Sequence, residues 1–385
     1  MPHAPNDPGK GSAGRAASPP GETPSAGPRA RWVTEVGAWR DMARAWDELA
    51  ALARPDNPFL THDWLMAWWE VYGVGRRLAL AVVEDGERLM GVAPLWSGRR
   101  GQAGVALRTL SYLGGDFGGA EYLDFLVPVG GEKPFFAALV RLMDGSGHDR
   151  LCLERHDAAS RSHVYLKVAL ANRPVMYQTG LGYTYPCLTV PETRRDFETS
   201  PLAAWAGAGE QTGRIRIFSD VPADRREEAL ARLCDLHQAQ AARRGDQGAF
   251  DDPRKRSFYA ALAGRLAGTG RLRLSGVLVD GEFAAVEIGI GAGAAHFALE
   301  SGASPEAESL GLDRLLTASL FGSLVGRASS YTSLKYHDPH IRTLPFVMRP
   351  TLRLDAFFGA RGRAAAALKA LAGLSREALG FLTGK

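Results

Sequence analysis

The sequence predicts an α/β fold made of two similar halves, each a mixed, mostly antiparallel sheet flanked by helices. Three observations lead there. Residues 271–279 (RLRLSGVLV) and 282–290 (EFAAVEIGI) alternate and are rich in β-branched side chains, and Asp280-Gly281 between them has type I′ turn chemistry, so they read as a hairpin. A third strand, 294–301 (AAHFALES), a polar loop, 302–309, a leucine-rich helix, 310–325, and a last strand, 331–334, follow in that order. The hairpin also recurs upstream: LALAVVEDGERLMGVAPLW parallels LRLSGVLVDGEFAAVEIGI, which suggests duplication of one unit.

A chain of 385 residues with 45% apolar side chains can build two cores of ordinary size. Its 46 basic and 42 acidic residues give a net charge of +4, too small to point to nucleic acid. Cys152, Cys187 and Cys234 are far apart and odd in number, which argues against a disulfide framework or zinc site and fits a reducing cytoplasm. No run of about 18 apolar residues occurs, so no integral membrane contact is expected.

In chain order, residues 1–30 are dominated by Pro, Gly, Ser and Ala and read as a disordered tail. A strand at 31–36 and a helix at 38–52, with Met42, Trp46 and Leu49 at helical spacing, open the first domain, 31–190. Thr61 is suited to cap a helix over 65–72, whose Trp64 and Trp68 are assigned to the core and Trp69 to substrate. Strands 78–84 and 88–96 form a hairpin around Asp85-Gly86, with a third strand at 107–113. The glycine-rich loop 114–119 then delivers AEYLDFL (120–126). As a strand, this segment would place Tyr122 and Asp124 on one face and Glu121 and Leu123 on the other, making the tyrosine and both acids site candidates. A helix at 133–143, a strand at 150–155, a helix at 160–171 and strands at 176–179 and 183–190 end the half near Pro191. The second domain, 191–355, opens with a strand at 214–219, a helix at 223–243 carrying His237, and a helix at 254–267. Residues 356–385 read as a basic amphipathic helix with a break near Gly373, packed on the domain.

Between the third strand of the second half and its helix, Ser309 is placed as N-cap. The following amides and the positive end of the helix dipole suit a phosphate, and Gly311 offers an approach without a Cβ. The same residues also fit an ordinary capped helix.

The stretch ESGASPEAESLGLDRLLTASL resembles CelD/BcsL-like acetyltransferases of the GNAT superfamily, relatives of the Fem aminoacyltransferases. Further landmarks are N-P-F-x-T-x-x-W-x-x-x-W-W from Asn57, Y-L-D-F at 122–125 and Leu236-His237, so the likeness runs from about Trp46 to Pro350. The resemblance implies a tandem GNAT-like fold and acetyl-CoA or another acyl-CoA as co-substrate, held at Ser309, Leu310, Gly311, Leu312, Asp313 and Arg314. Its thioester would lie between strands 294–301 and 331–334, whose ends carry Glu300 and the segment Lys335 to Asp338. His337 has the best unperturbed pKa for a general base, and Glu300 or Asp124 would serve if burial raised theirs. Asp338 and Tyr122 complete the catalytic candidates, with Trp69, Glu121, Lys335 and His340 toward the acceptor. That acceptor is an amine or hydroxyl of a sugar, polysaccharide precursor or small metabolite, with no nucleic acid involved.

One departure concerns the family's F-D-F-L-x-G-D-E-x-Y-K, which here reads YTSLKYHDPHI: the acid pair becomes His337-Asp338 and Tyr-Lys becomes His340-Ile341. His337 and His340 form an H-x-x-H, but Pro339 precludes a regular helix and no third ligand is near, so no metal is expected. An aminoacyl-tRNA-dependent transferase of the Fem type and a catalytically weakened scaffold are the alternatives.

Overall fold

A computed structural model describes residues 27–206, 214–335 and 338–383, with side chains through residue 371. The first half holds β1 (Arg29–Val33), α1 (Val36–Asp41), α2 (Ala43–Ala53), α3 (His62–Tyr72), β2 (Arg77–Leu78), β3 (Leu80–Asp85), β4 (Arg88–Ala93), β5 (Leu95–Gln102) and β6 (Val105–Tyr112). It continues with α4 (Glu132–Asp144), β7 (Arg150–Asp157), α5 (Ser162–Leu170) and β8 (Met176–Thr189). Two short helices, α6 (Arg194–Glu198) and α7 (Pro201–Ala206), lead to β9 (Ile215–Phe218), α8 (Arg226–Arg244), α9 (Pro253–Arg265), β10 (Leu272–Val279), β11 (Glu282–Ala292) and β12 (Ala295–Ala303). Then come α10 (Pro305–Ser309), α11 (Leu312–Leu324), β13 (Ser330–Ser333), β14 (Val347–Phe357) and α12 (Gly359–Thr383).

The fold is α/β, but the strands do not form two comparable sheets. One sheet of eleven strands runs β2-β5-β6-β7-β14-β8-β13-β12-β11-β10-β9, beside a small sheet β1-β3-β4. The halves fuse because β8 pairs with β13, and β14, arriving from the end of the chain, inserts between β7 and β8. Both pairings join segments far apart in sequence, which local periodicity does not register. The upstream meander is also broken, at Ala79 and at Pro94, where proline has no N–H for a ladder, so its β3–β4 hairpin leaves for the small sheet.

Several element boundaries move. The expected tail lies outside the described residues as far as 26, yet β1 starts at Arg29, inside it. Residues 120–126 are no strand: Leu123 and Leu126 make single bridges, and Tyr122 has a left-handed φ of 54°. Part of the polar loop after β12 is helical, with Ser304, not Ser309, capping α10 through the Ala307 N–H, and Gly311 (φ 68°) occupies the N-cap position of α11. The terminal helix starts at Gly359, because Ala356 and Phe357 belong to β14, and it runs through Gly373 without a break. The β10–β11 turn matches expectation, with Val279 opposite Glu282 and positive φ at Asp280 and Gly281.

The largest core cluster joins the halves. Phe59 and Trp64, on and just before α3, meet Phe297 of β12 and Phe258 of α9 edge to face, with ring centroids 5.0 and 5.1 Å apart. Each such ring contributes about 1.5–3 kcal/mol by leaving water.

Candidate active site

β12 and β13 are a parallel pair from Ala295 opposite Ser330 to Ala298 opposite Ser333, and a final bond runs from the Leu334 N–H to the Ala298 carbonyl (2.9 Å). Beyond it they part. A bulge at Leu299, between the Ala298 and Glu300 pairings with β11, bends β12 at that point. α8 packs on the face of β11 and β12 and reaches the free carbonyls with its side chains: His237 Nδ1 bonds the Ser301 carbonyl (2.8 Å) and Arg243 donates to the Ala303 carbonyl (3.2 Å). Gly302 permits this approach, since a Cβ there would stand 2.5 Å from the backbone nitrogen of His237.

A cavity of about 250 Å3 opens in the gap, lined among others by Ser301, Gly302, Ala303, Asp313, Thr317, Lys335, Asp338 and His340. Beneath it Lys335 is buried, 2.7 Å from Glu287 and 2.9 Å from Asp338, while Ser333 Oγ donates to Asp338 and Tyr331 to Glu287. Burial opposes the ammonium's charge, but Asp338 and Glu287 outweigh it and hold the Lys335 pKa well above its ordinary value.

At the start of α11 the amides are only partly available to an anion. The Leu310 and Gly311 N–H groups are bonded to the Glu306 and Glu308 carbonyls, and that of Arg314 to the Asp313 carboxylate. Helix geometry leaves the Leu312 and Asp313 amides without a carbonyl one turn back. His340 Nε2 lies 2.5 Å from Asp313 Oδ2, and Arg314 donates to His340 Nδ1 (3.1 Å), so a carboxylate already sits at the positive end of the helix. Ser309 is exposed and its hydroxyl turns back to the Glu306 carbonyl. The gap thus suits the acyl arm of a thioester better than the helix start suits its diphosphate.

A second cavity, about 490 Å3, lies between the halves and shares Gln240, Arg244, Ser301 and Lys335 with the first. Glu300 faces it, ion-paired to Lys255 and 3.8 Å from His237. Opposite stands Glu121, only 1% exposed, bonded to Arg155 and accepting from the Tyr185 hydroxyl (2.7 Å). Glu121 and Tyr259 line this cavity, and Glu121 Oε2 and the Tyr259 hydroxyl are buried without a partner among the described residues.

Glu300, Glu121 and Lys335 therefore converge on one cleft, with Asp338 and His340 on the adjoining cavity. Asp124 lies elsewhere, buried between Arg54 (2.8 Å) and the Phe125 N–H (2.8 Å). Tyr122 packs under Arg349, whose guanidinium is 4.0 Å from its ring centroid, and donates to the Arg349 carbonyl. Trp69 packs on Trp39, its ring 6.5 Å away. His337 lies outside the described residues. His237 accepts the Ala249 N–H at Nε2, so Nδ1 carries the proton given to Ser301 and neither nitrogen is left to act as a base. Lys255, Tyr185, Tyr259 and Arg155 belong to the cleft but carry no motif that marks them in the sequence. Glu287 left one signal, a charge inside the otherwise apolar run of β11.

Residues 208–334 match the family described as acetyltransferase (GNAT) domain. This segment is a GNAT domain. It is the CelD/BcsL-like kind that the sequence around Gly311 resembles. No curated protein matches the chain. Among solved structures, FemX overlays with a TM-score of 0.57 at 10% identity, covering 81% of this chain and 95% of its own. A conserved protein of unknown function from Bacteroides thetaiotaomicron gives 0.52 at 13% identity, over 82% of this chain and 97% of that one. A tandem GNAT protein from the clavulanic acid biosynthesis pathway gives 0.45 at 14%, over 85% and 98%. The fold around the GNAT domain is thus that of FemX. Among the described residues no helix is long and apolar enough to cross a membrane, and no cluster of His, Cys, Asp and Glu could hold a metal.

Proposed function

We propose that the protein transfers an acyl group from a thioester, acetyl-CoA or another acyl-CoA, to an amine or hydroxyl held between its halves. The observation that carries this reading is the meeting of two cavities where β12 and β13 part, with Ser301 and Lys335 common to both. A donor entering between the strands and an acceptor entering between the halves reach each other there. The acceptor nitrogen or oxygen attacks the acyl carbon, the C–S bond breaks, and the acceptor's proton must leave. At pH 7 an amine of pKa near 10 is neutral in about one molecule in a thousand, so a base contributes roughly 10²- to 10⁴-fold. Glu300 takes the proton, directly or through water, held in place by Lys255; His337, two residues after Lys335, is the second candidate. The acceptor is a sugar, polysaccharide precursor or small metabolite, the class the family resemblance implies.

The occupied amides and the Asp313 carboxylate at the helix start favour one second reading, a donor whose phosphates lie elsewhere, as in a Fem-like aminoacyl-tRNA-dependent transferase. Calorimetry with acetyl-CoA, CoA and aminoacyl-tRNA separates the two, and binding of none leaves a scaffold. With donor and acceptor in hand, thiol release by wild type, Glu300→Gln and His337→Ala assigns the base. Full turnover in both variants overturns the base assignment.

A further inference from the structure

The first half has a strand parting of its own. β6 and β7 are parallel from Thr109 opposite Arg150 to Ser111 opposite Cys152; β6 then ends at Tyr112 while β7 continues to Asp157. A cavity of about 690 Å3 lies beside this parting, and five of its lining residues are arginines: Arg76, Arg99, Arg100, Arg155 and Arg353. The carboxylates lining it are two, Asp116 and Glu154. Asp116 is shared by Arg76 and Arg100, and Glu154 by Arg100 and Arg353. Arg155 is held by Glu121, and Arg353 also reaches Asp355, which Arg150 already binds. Arg99 has no carboxylate partner among the described residues, and the buried Nε of Arg76 has no acceptor there.

Rings fix these guanidiniums without neutralising them. Arg76 and Arg100 lie 4.7 and 5.3 Å from the Trp96 centroid, and Arg155 lies 4.9 Å from that of Tyr183. Arg155 also adopts φ 59°, a backbone conformation that a non-glycine residue keeps only when its surroundings impose it. It lines both this cavity and the acceptor cleft, as does Tyr183, so the two spaces adjoin at these side chains. Planar, pre-positioned guanidiniums exceeding their carboxylates match the paired oxygens of a phosphate.

We infer that this arginine-lined cavity binds the phosphate-bearing end of the acceptor, whose nucleophile then extends past Arg155 into the cleft at Glu300. Phosphate binding stands on the cavity alone; that the phosphate belongs to the acceptor rests on the acyl-transfer reading.

The test is calorimetry on the full chain with pyrophosphate, then with glucosamine and glucosamine 6-phosphate as a matched pair. Pyrophosphate should bind wild type, weaken as salt rises, and lose at least tenfold in affinity in both Arg99→Glu and Arg353→Gln. Arg99 is exposed, so its variant should melt with wild type. Glucosamine 6-phosphate should bind at least tenfold more tightly than glucosamine, and Arg99→Glu should erase the difference. Absent pyrophosphate binding, or binding indifferent to both variants, overturns the site. Pyrophosphate binding without preference for the phosphorylated sugar overturns its assignment to the acceptor. Acetyl-CoA calorimetry on Arg99→Glu reads the donor groove separately, so failure of the acyl-transfer reading appears as a different result.

Discussion

The two partings, β6 from β7 and β12 from β13, share a topology and carry opposite charge. The first is edged by five arginines against Asp116 and Glu154. The second sets Glu287, Glu308, Asp313 and Asp338 against Arg244, Lys335 and His340. The crossovers differ too: a loop containing Gly114, Gly115, Gly118 and Gly119 precedes α4, whereas α10 and α11 follow β12 almost at once. A parallel pair therefore fixes where a cleft opens, and the residues of its crossover and flanking strands decide what that cleft accepts.

Four experiments bear on this contrast. The largest effect comes from a buried cation in each half, Lys335 with Glu287 and Asp338, and Arg150 with Asp355. Lys335→Met leaves the Glu287 and Asp338 carboxylates without their cation and should cost about 3–5 kcal/mol in urea unfolding, whereas Arg150→Met leaves Asp355 with Arg353 and should cost less. Only Lys335→Met should also weaken acetyl-CoA binding; equal losses of binding would erase the distinction between the grooves.

The next effect is on acid stability. Burial, helped by Arg273 and Lys335, pushes the His296 pKa down to about 3, and burial with Arg108 pushes that of His148 down to about 4. The unfolded value is near 6.5, so the unfolded chain binds the proton first. The stability each neutral histidine allows is present above about pH 6.5 and is lost as pH falls toward its folded value, at most about 1.4 kcal/mol per pH unit. His296→Phe should flatten the decline of stability from pH 6.5 to 3 more than His148→Phe does. Parallel curves for wild type and His296→Phe would contradict a buried neutral imidazole in the second half.

Within the cleft, Glu300→Gln should lower kcat about 100-fold, roughly 2.7 kcal/mol. Glu121→Gln, from the other half, should act mainly on the KM of the acceptor. The reverse pattern would exchange the roles of the two halves.

The smallest effects test the helix start. Gly311→Ala puts a Cβ into open space at φ 68°, so only the backbone resists and thermal melting should report about 1–2 kcal/mol. Gly302→Ala, with α8 in the way, should cost more.

Much of the C-terminal architecture was legible in the sequence because its signals are local. Asp280-Gly281 specifies its turn within two residues, and the leucines of α11 repeat at helical spacing. The same local signals put Glu300 and Lys335 near the ends of their strands, and both line the cleft, Glu300 beside the bulge at Leu299 rather than at the end of β12. Alternation along 120–126 puts Tyr122 and Asp124 on one face only if the segment is a strand, and the left-handed φ of Tyr122 breaks that alternation. Residue types suit the amides near Gly311 to a phosphate and the resemblance extends the site over 309–314, but neither shows that the Glu306 and Glu308 carbonyls reach Leu310 and Gly311 first.

By itself the sequence determined the Asp-Gly turns, most of the long helices, Trp46, Trp64 and Trp68 of the core and the kinship of its second half, since each depends on neighbours a few residues apart. Tertiary structure alone decided that β14 would weld two halves into one sheet, that Lys335 would meet Glu287, and that five scattered arginines would share a cavity. Strand pairing and ion pairing act through space between residues tens to hundreds apart, and no local pattern records which partner a strand edge or a buried charge will find.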